Sequence, residues 1–182
     1  MKMFRRSAPD RGVRTIAGQP LDLPKNASAR FEADSGELSP LVRSLIDYWH
    51  ASRGENGLPD RESFDASRMT RWLGYLSIYE YDEVSDDFRN RLEGSFVADL
   101  TGENWTGRFA SEVDARFGSR FLAELREVRQ LRLPSIDLIQ IFQNEFGVAV
   151  RVMLPISSRP GPEADQVFVA IFGNGLQRRR DA

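Results

Sequence analysis

Apolar residues stand at Val148, Val150, Val152, Leu154 and Ile156 without a break. A period of two is the period at which side chains alternate across a pleated strand, so this stretch predicts a strand with one face firmly buried. A single strand or hairpin is not stable alone in water, so the stretch commits the chain to a sheet of several strands with a packed cover. Three further strands fit around it. Ile136 to Phe142 is apolar on both faces, Val167 to Phe172 is apolar throughout, and Leu76 to Tyr81 carries Ile78, Tyr79 and Tyr81. The fifth, Phe88 to Gly94, sets Phe88, Asn90 and Leu92 on one face and Arg89, Arg91 and Glu93 on the other. Turns are expected at 84–87 and 143–147, and a polar loop over 157–165.

The cover is written in helical spacing. Ser39-Pro40 is a start signal, with serine as N-cap and proline at the first helical position. Leu41, Val42, Leu45, Ile46 and Trp49 then form one apolar stripe, ending near Arg53-Gly54. Asp65 is placed to cap a second helix over Ala66 to Leu73, with Met69, Trp72 and Leu73 inward. Between the two, Gly57-Leu-Pro-Asp-Arg61 reads as a turn and connector that Arg61 pins to its own domain. After Gly94, Phe96, Val97 and Leu100 suit one or two helical turns closed by Gly102, and Trp105 and Phe109 flank Gly107. The longest helix is expected from Asp114 to Arg132. Phe117, Phe121, Leu125 and Val128 repeat along it at i, i+4, i+8 and i+11, and Pro134 follows.

Composition removes several functions. With no cysteine among 182 residues there is no disulfide, thiolate metal site or cysteine nucleophile. The single histidine, His50, rules out a two-histidine metal site within the chain. Net charge is −2, from 25 basic and 27 acidic side chains, which is not the basic excess of a nucleic-acid binder. No apolar run approaches the roughly 18 residues of a membrane span. The basic start of the chain lacks a following apolar segment, so a signal peptide is not expected and a cytoplasmic location is. Residues 1–37 have little to bury and are expected as a mobile tail, 38–175 as the folded domain and 176–182 as a basic tail.

The order of elements is helices, two strands, short helices, a long helix, three strands. It resembles a PAS domain, and the local wording is similar to an alphaproteobacterial PAS-like family formerly described as a domain of unknown function. The matching pieces are Tyr48-Trp49 with Arg53, Leu58-Pro59-Asp60-Arg61, Arg91-Leu92-Glu93-Gly94, Thr101-Gly102 with Thr106-Gly107, and Leu154-Pro155. The resemblance implies an α+β fold: a five-stranded antiparallel sheet covered on one face by short helices and one long helix, with two extra N-terminal helices. It also implies a sensory or adaptor role in bacterial signalling, with a small ligand, a signalling protein or a second copy as partner. The ligand is unknown. A cysteinyl-flavin is excluded for want of cysteine, and the helices over the pocket hold no histidine to ligate haem.

The candidate ligand-binding residues are Asn90, Arg91, Trp105, Phe117, Phe121 and Gln140, with Trp105 as a wall and Arg91 as an anion partner. Leu41, Leu45 and Trp49 are the candidate dimer or partner interface. The alternative is a ligand-free interaction module with an apolar patch on the N-terminal helix or around Ile139 and Ile141. An enzyme is less favoured. Its acid pairs, Asp82-Glu83 and Asp86-Asp87, sit in a turn, and no catalytic residue, metal site or phosphate loop can be assembled.

Overall fold

The structure is a computed structural model and describes residues 28–30, 37–141, 147–159, 163–173 and 176–177. In chain order it contains β1 (Ser28–Arg30), β2 (Glu37–Leu38), α1 (Pro40–Ala51), β3 (Leu76–Asp82), β4 (Asp87–Leu92), α2 (Ser95–Thr101), α3 (Ala110–Phe117), α4 (Phe121–Leu131), β5 (Ser135–Ile141), β6 (Gly147–Ile156), β7 (Gln166–Phe172) and β8 (Leu176–Gln177). The five expected strands form one antiparallel sheet in the order β5-β6-β7-β3-β4. The three-residue β1 extends the sheet beyond β5, and β2 pairs with β8 in a separate two-stranded ribbon. Strand-forming residues therefore begin ahead of the expected domain boundary at 38. Residue 142 of the expected strand, residues 143–146 of the expected β5–β6 turn and the terminal arginines lie outside the described residues.

The alternation in β6 is real, and both of its faces are covered. Val150, Val152, Leu154 and Ile156 join Leu138, Phe168, Ala170, Leu76 and Ile78 beneath α1, whose Val42, Leu45 and Trp49 are fully buried. Met153, Val167, Val169 and Tyr79 face the other way, toward Phe121, Leu125 and Val128 of α4. The helix α1 begins as its sequence signals, with the Ser39 side chain accepting from the Val42 N–H and Pro40 in the first turn. Trp49 donates from its indole Nε1 to the Pro155 carbonyl at 2.9 Å, and that bond locks α1 onto the end of β6. The connector behaves as expected: Arg61 donates from its guanidinium to the Phe64 carbonyl and lies over the Phe168 ring.

Two helical expectations fail for physical reasons. The Asp65 carboxylate does accept from the N–H groups of Ser67 and Arg68, and the Met69 N–H reaches the Asp65 carbonyl. That single turn does not propagate. The bonds tighten to Trp72 N–H on the Met69 carbonyl, the Thr70 hydroxyl takes the Ser67 carbonyl, and the segment ends in a three-residue 3₁₀ turn at Leu73–Tyr75. The expected long helix is also two. Gly118, in the left-handed region at φ 64°, closes α3 by donating to the Asp114 carbonyl. Asp114 does serve a helix start, but that of α4. Its carboxylate accepts from the N–H groups of Phe121 at 2.6 Å and Leu122 at 3.0 Å.

Candidate functional site

A cavity of about 380 Å³ lies between the sheet and the layer formed by α2, α3 and α4. Its walls come from β3 (Ser77, Tyr79), the Glu93 that follows β4, α2 (Val97, Thr101), α3 and α4 with their junction, β5 (Ile139, Gln140), β6 (Arg151) and β7 (Val169, Ile171). Aromatic rings form much of the apolar part, with Val97, Val113, Ile139, Val169 and Ile171. Tyr79 meets Phe121 edge-on with centroids 4.9 Å apart, and Trp105 lies 5.7 Å from Phe117.

Trp105 is held by backbone bonds to β4. The Gly107 N–H donates to the Asn90 carbonyl at 2.7 Å, and the Asn90 N–H donates to the Arg108 carbonyl at 2.8 Å. The crossover after α2 is thereby laid along the free edge of β4, with the buried indole among the cavity walls. A bulge in β4 does the rest. Tyr79 pairs with Asn90 but Ile78 pairs with Leu92, so Arg91 is the extra residue in the ladder. Past the bulge the side-chain parity flips. Asn90 stands on the cavity side opposite Tyr79, and Glu93 turns to that side as well, where the Asn90 Nδ2 donates to its carboxylate.

The buried cation of the site is Arg151, 6% exposed. Its Nη2 donates to Glu124 of α4 at 2.7 Å and to Asp137 of β5 at 3.2 Å, tying the helical layer to the sheet. Three buried polar atoms on the lining residues have no partner: Trp105 Nε1, Gln140 Oε1 and Arg151 Nε. Burial pushes the Glu93 carboxyl above its ordinary value, with the Asn90 and Ser77 hydrogen bonds working against it. Burial likewise raises the Tyr79 hydroxyl, and Glu93 adds to the effect.

Of the six expected ligand residues, the structure brings Trp105, Phe117, Phe121 and Gln140 together around the cavity. Asn90 is fully buried beside it and holds Glu93 rather than lining the space. Arg91 is corrected. As the bulge residue it points away from the cavity and pairs with Glu80 at 2.8 Å on the exposed side of β4, where its hydrogen bond holds the Glu80 carboxyl below the usual range. The expected interface is corrected too. Leu45 and Trp49 are fully buried within their own chain, Leu41 is partly buried beside them, and so the α1 stripe covers the sheet instead of a second copy. Ile139, expected on an outer surface, lines the cavity, and the side chain of Ile141 lies outside the described residues. Sequence reasoning missed Arg151, Glu93, Ser77 and Tyr79 as lining residues. Arg151 carried a signal, as the charged residue in the middle of an otherwise apolar strand.

The acid pairs of the β3–β4 turn serve the turn. Asp82 accepts from the Val84 and Ser85 N–H groups, Asp87 from the Phe88 N–H, and Asp86 pairs with Arg126 at 2.8 Å. Among the described residues there is no group of three His, Asp or Glu side chains suited to a metal, and no helix long and apolar enough to cross a membrane.

A family model described as PAS domain matches residues 38–168, and the chain belongs to that family. The family is of a sensory or signalling kind, and the match spans β3 to β6, the start of β7 as far as Phe168, and every helix described above. No curated protein matches the chain. Among solved structures, one described as an RNA-binding Light-Oxygen-Voltage receptor is similar at 13% identity with a TM-score of 0.42, over 85% of this chain and 40% of that one. The chain thus spans less than half of that receptor structure, whose RNA binding is a property of that receptor.

Proposed function

We propose that the protein is a cytoplasmic PAS sensor that binds a small molecule between its sheet and α2–α4 and passes occupancy to a signalling protein. One observation carries the reading. A cavity of about 380 Å³ is walled by Trp105, Phe117, Phe121 and Tyr79, and three of its lining residues, Trp105, Gln140 and Arg151, each carry a buried polar atom without a partner. Apolar walls with a few convergent polar groups are the usual make-up of a ligand pocket. A buried polar atom without a partner costs stability that a bound ligand's own donors and acceptors would recover. The absence of cysteine suits a reducing compartment. Pairing of two copies through α1 is not part of the proposal, because that face is already buried.

The test is native mass spectrometry of the purified protein, followed by thermal-shift screening of small metabolites against the wild type and a cavity-filling Val97→Phe variant. Carried-over or added mass with a raised melting temperature in the wild type, lost in the variant, supports the reading. Absence of any bound mass and of any stabilising compound would sink it. It would leave the alternative of a ligand-free docking module. That alternative is favoured by Phe96 and Leu73, which are 52% and 36% exposed around Gly74.

A further inference from the structure

The chemistry of the cavity is not neutral toward the charge of what enters it. Its buried cation, Arg151, is already committed. The Nη2 atom serves both Glu124 and Asp137, so two carboxylates already balance its charge, and its Nε–H is a donor without a partner. The other cation among the lining residues, Arg120, is exposed, where solvent and salt weaken its reach. Glu93 differs. Its partners are the neutral Asn90 and Ser77, and among the described residues no cation pairs with it. A half-buried carboxyl group in an aromatic-walled cavity without a counter-charge favours a ligand that brings a donor or a positive charge, and once ionised it repels a second carboxylate.

The remaining groups fit the same kind of molecule. The Nε1 of Trp105 and the Nε of Arg151 are donors without a partner, and the Oε1 of Gln140 is an acceptor without one, all on residues that line the cavity. A carbonyl or ring nitrogen would satisfy the donors without carrying charge. The flat rings of Tyr79, Trp105, Phe117 and Phe121 suit a planar partner, and an ammonium group near such faces gains further attraction.

Building on the ligand-binding reading above, we propose that the cavity selects compact aromatic ligands that are cationic or uncharged, that it rejects carboxylates, and that Glu93 is the residue that sets this selectivity. Burial raises the Glu93 carboxyl when the cavity is empty, and a bound ammonium group would draw it toward the ionised form.

Three probes share one ring and differ in charge: tryptamine, indoleacetamide and indoleacetate. Calorimetric titration of the full chain at neutral pH is expected to show tryptamine and indoleacetamide binding at least about tenfold more tightly than indoleacetate. The Glu93→Gln variant keeps a hydrogen-bonding group beside Asn90 and should fold, which circular dichroism checks. It is expected to bind tryptamine about tenfold more weakly while indoleacetamide changes less than about threefold. Equal or tighter binding of indoleacetate to the wild type overturns the inference, whether or not the variant folds. So does an unchanged tryptamine preference in a folded Glu93→Gln variant. Indifference to charge removes this selectivity and leaves the cavity a ligand site. Failure of all three probes also overturns it, and the bound-mass measurement then decides the broader reading separately.

Discussion

The carboxylate of Asp114, inside α3, accepts a hydrogen bond from the backbone N–H of Phe121 at 2.6 Å, so one helix caps the start of the next. The bond fixes the turn at Gly118 and with it the paired placement of Phe117 and Phe121 on the cavity wall. Removing an N-cap acceptor costs about 1–2 kcal/mol. Asp114→Ala should show that loss in urea denaturation, and Asp114→Asn, which retains an acceptor, should lose less. An alanine variant as stable as the wild type would mean that α4 starts without help from α3.

Trp49 tests which surface α1 serves. Its ring is fully buried and its Nε1 bonds the Pro155 carbonyl. Trp49→Ala should cost about 3–5 kcal/mol, the usual loss for a large buried aromatic. Trp49→Phe should cost about 1–3 kcal/mol, mainly from leaving the carbonyl unpaired. Light scattering on the folded Trp49→Phe protein should give the same mass as the wild type. A change of mass with no loss of stability would return the residue to an interface.

Arg151 holds α4 to the sheet through Glu124 and Asp137. Arg151→Met withdraws a buried cation from two carboxylates, a change that typically costs about 3–5 kcal/mol. Adding Asp137→Asn to it should recover a substantial part. A double-mutant cycle by chemical denaturation reads the coupling, and strict additivity would refute it.

Glu93 predicts the sign of a pH effect. Its folded value lies above the ordinary 4.5, chiefly through burial. The folded state therefore holds the proton more tightly than the unfolded chain. The stability tied to that proton is fully present below about pH 4.5 and is lost as pH rises through the raised folded value. The melting temperature of the wild type should fall relative to that of Glu93→Gln as pH climbs from 4.5 toward neutrality. Parallel curves for the two proteins would contradict it.

Gly94 is needed for space. A Cβ there would lie 2.7 Å from the Gly74 carbonyl carbon and 2.8 Å from the Leu73 oxygen, both backbone atoms that cannot swing aside. Gly94→Ala should cost about 1–3 kcal/mol, the usual penalty of overpacking. Since α2 begins one residue later, intrinsic fluorescence from the neighbouring Trp105 should shift as well.

The strands were legible because a period of two reports burial residue by residue, as in Val148 to Ile156. The helices were less so. An apolar stripe such as Val42, Leu45 and Trp49 says that a face is covered and not by what, so a packed layer was read as a docking surface. The break at Gly118 was hidden because Phe117 and Phe121 keep helical spacing across it. Trp105, Phe117, Phe121 and Gln140 reached the cavity by simple placement in the expected fold. Arg91 and Glu93 were assigned to the same face by strict alternation, and the one-residue bulge in β4 reversed their roles. A bulge leaves no mark that one sequence shows. Arg151 went unexamined because the apolar residues on either side of it were taken as the content of the strand.

The ribbon of β2 and β8 pairs Glu37 with Gln177 and Leu38 with Leu176, so the chain entering α1 is fastened to the chain leaving β7. Tension applied through the chain beyond Gln177 would fall on this short fastener before it reached β7, whereas the chain ahead of Glu37 already runs through β1 of the sheet. In an antiparallel ribbon pulled from adjacent ends, the hydrogen bonds lie along the pull and part in sequence, like a zip. On the C-terminal side, then, the sheet and its cavity stand behind a weak latch that can open while they stay intact.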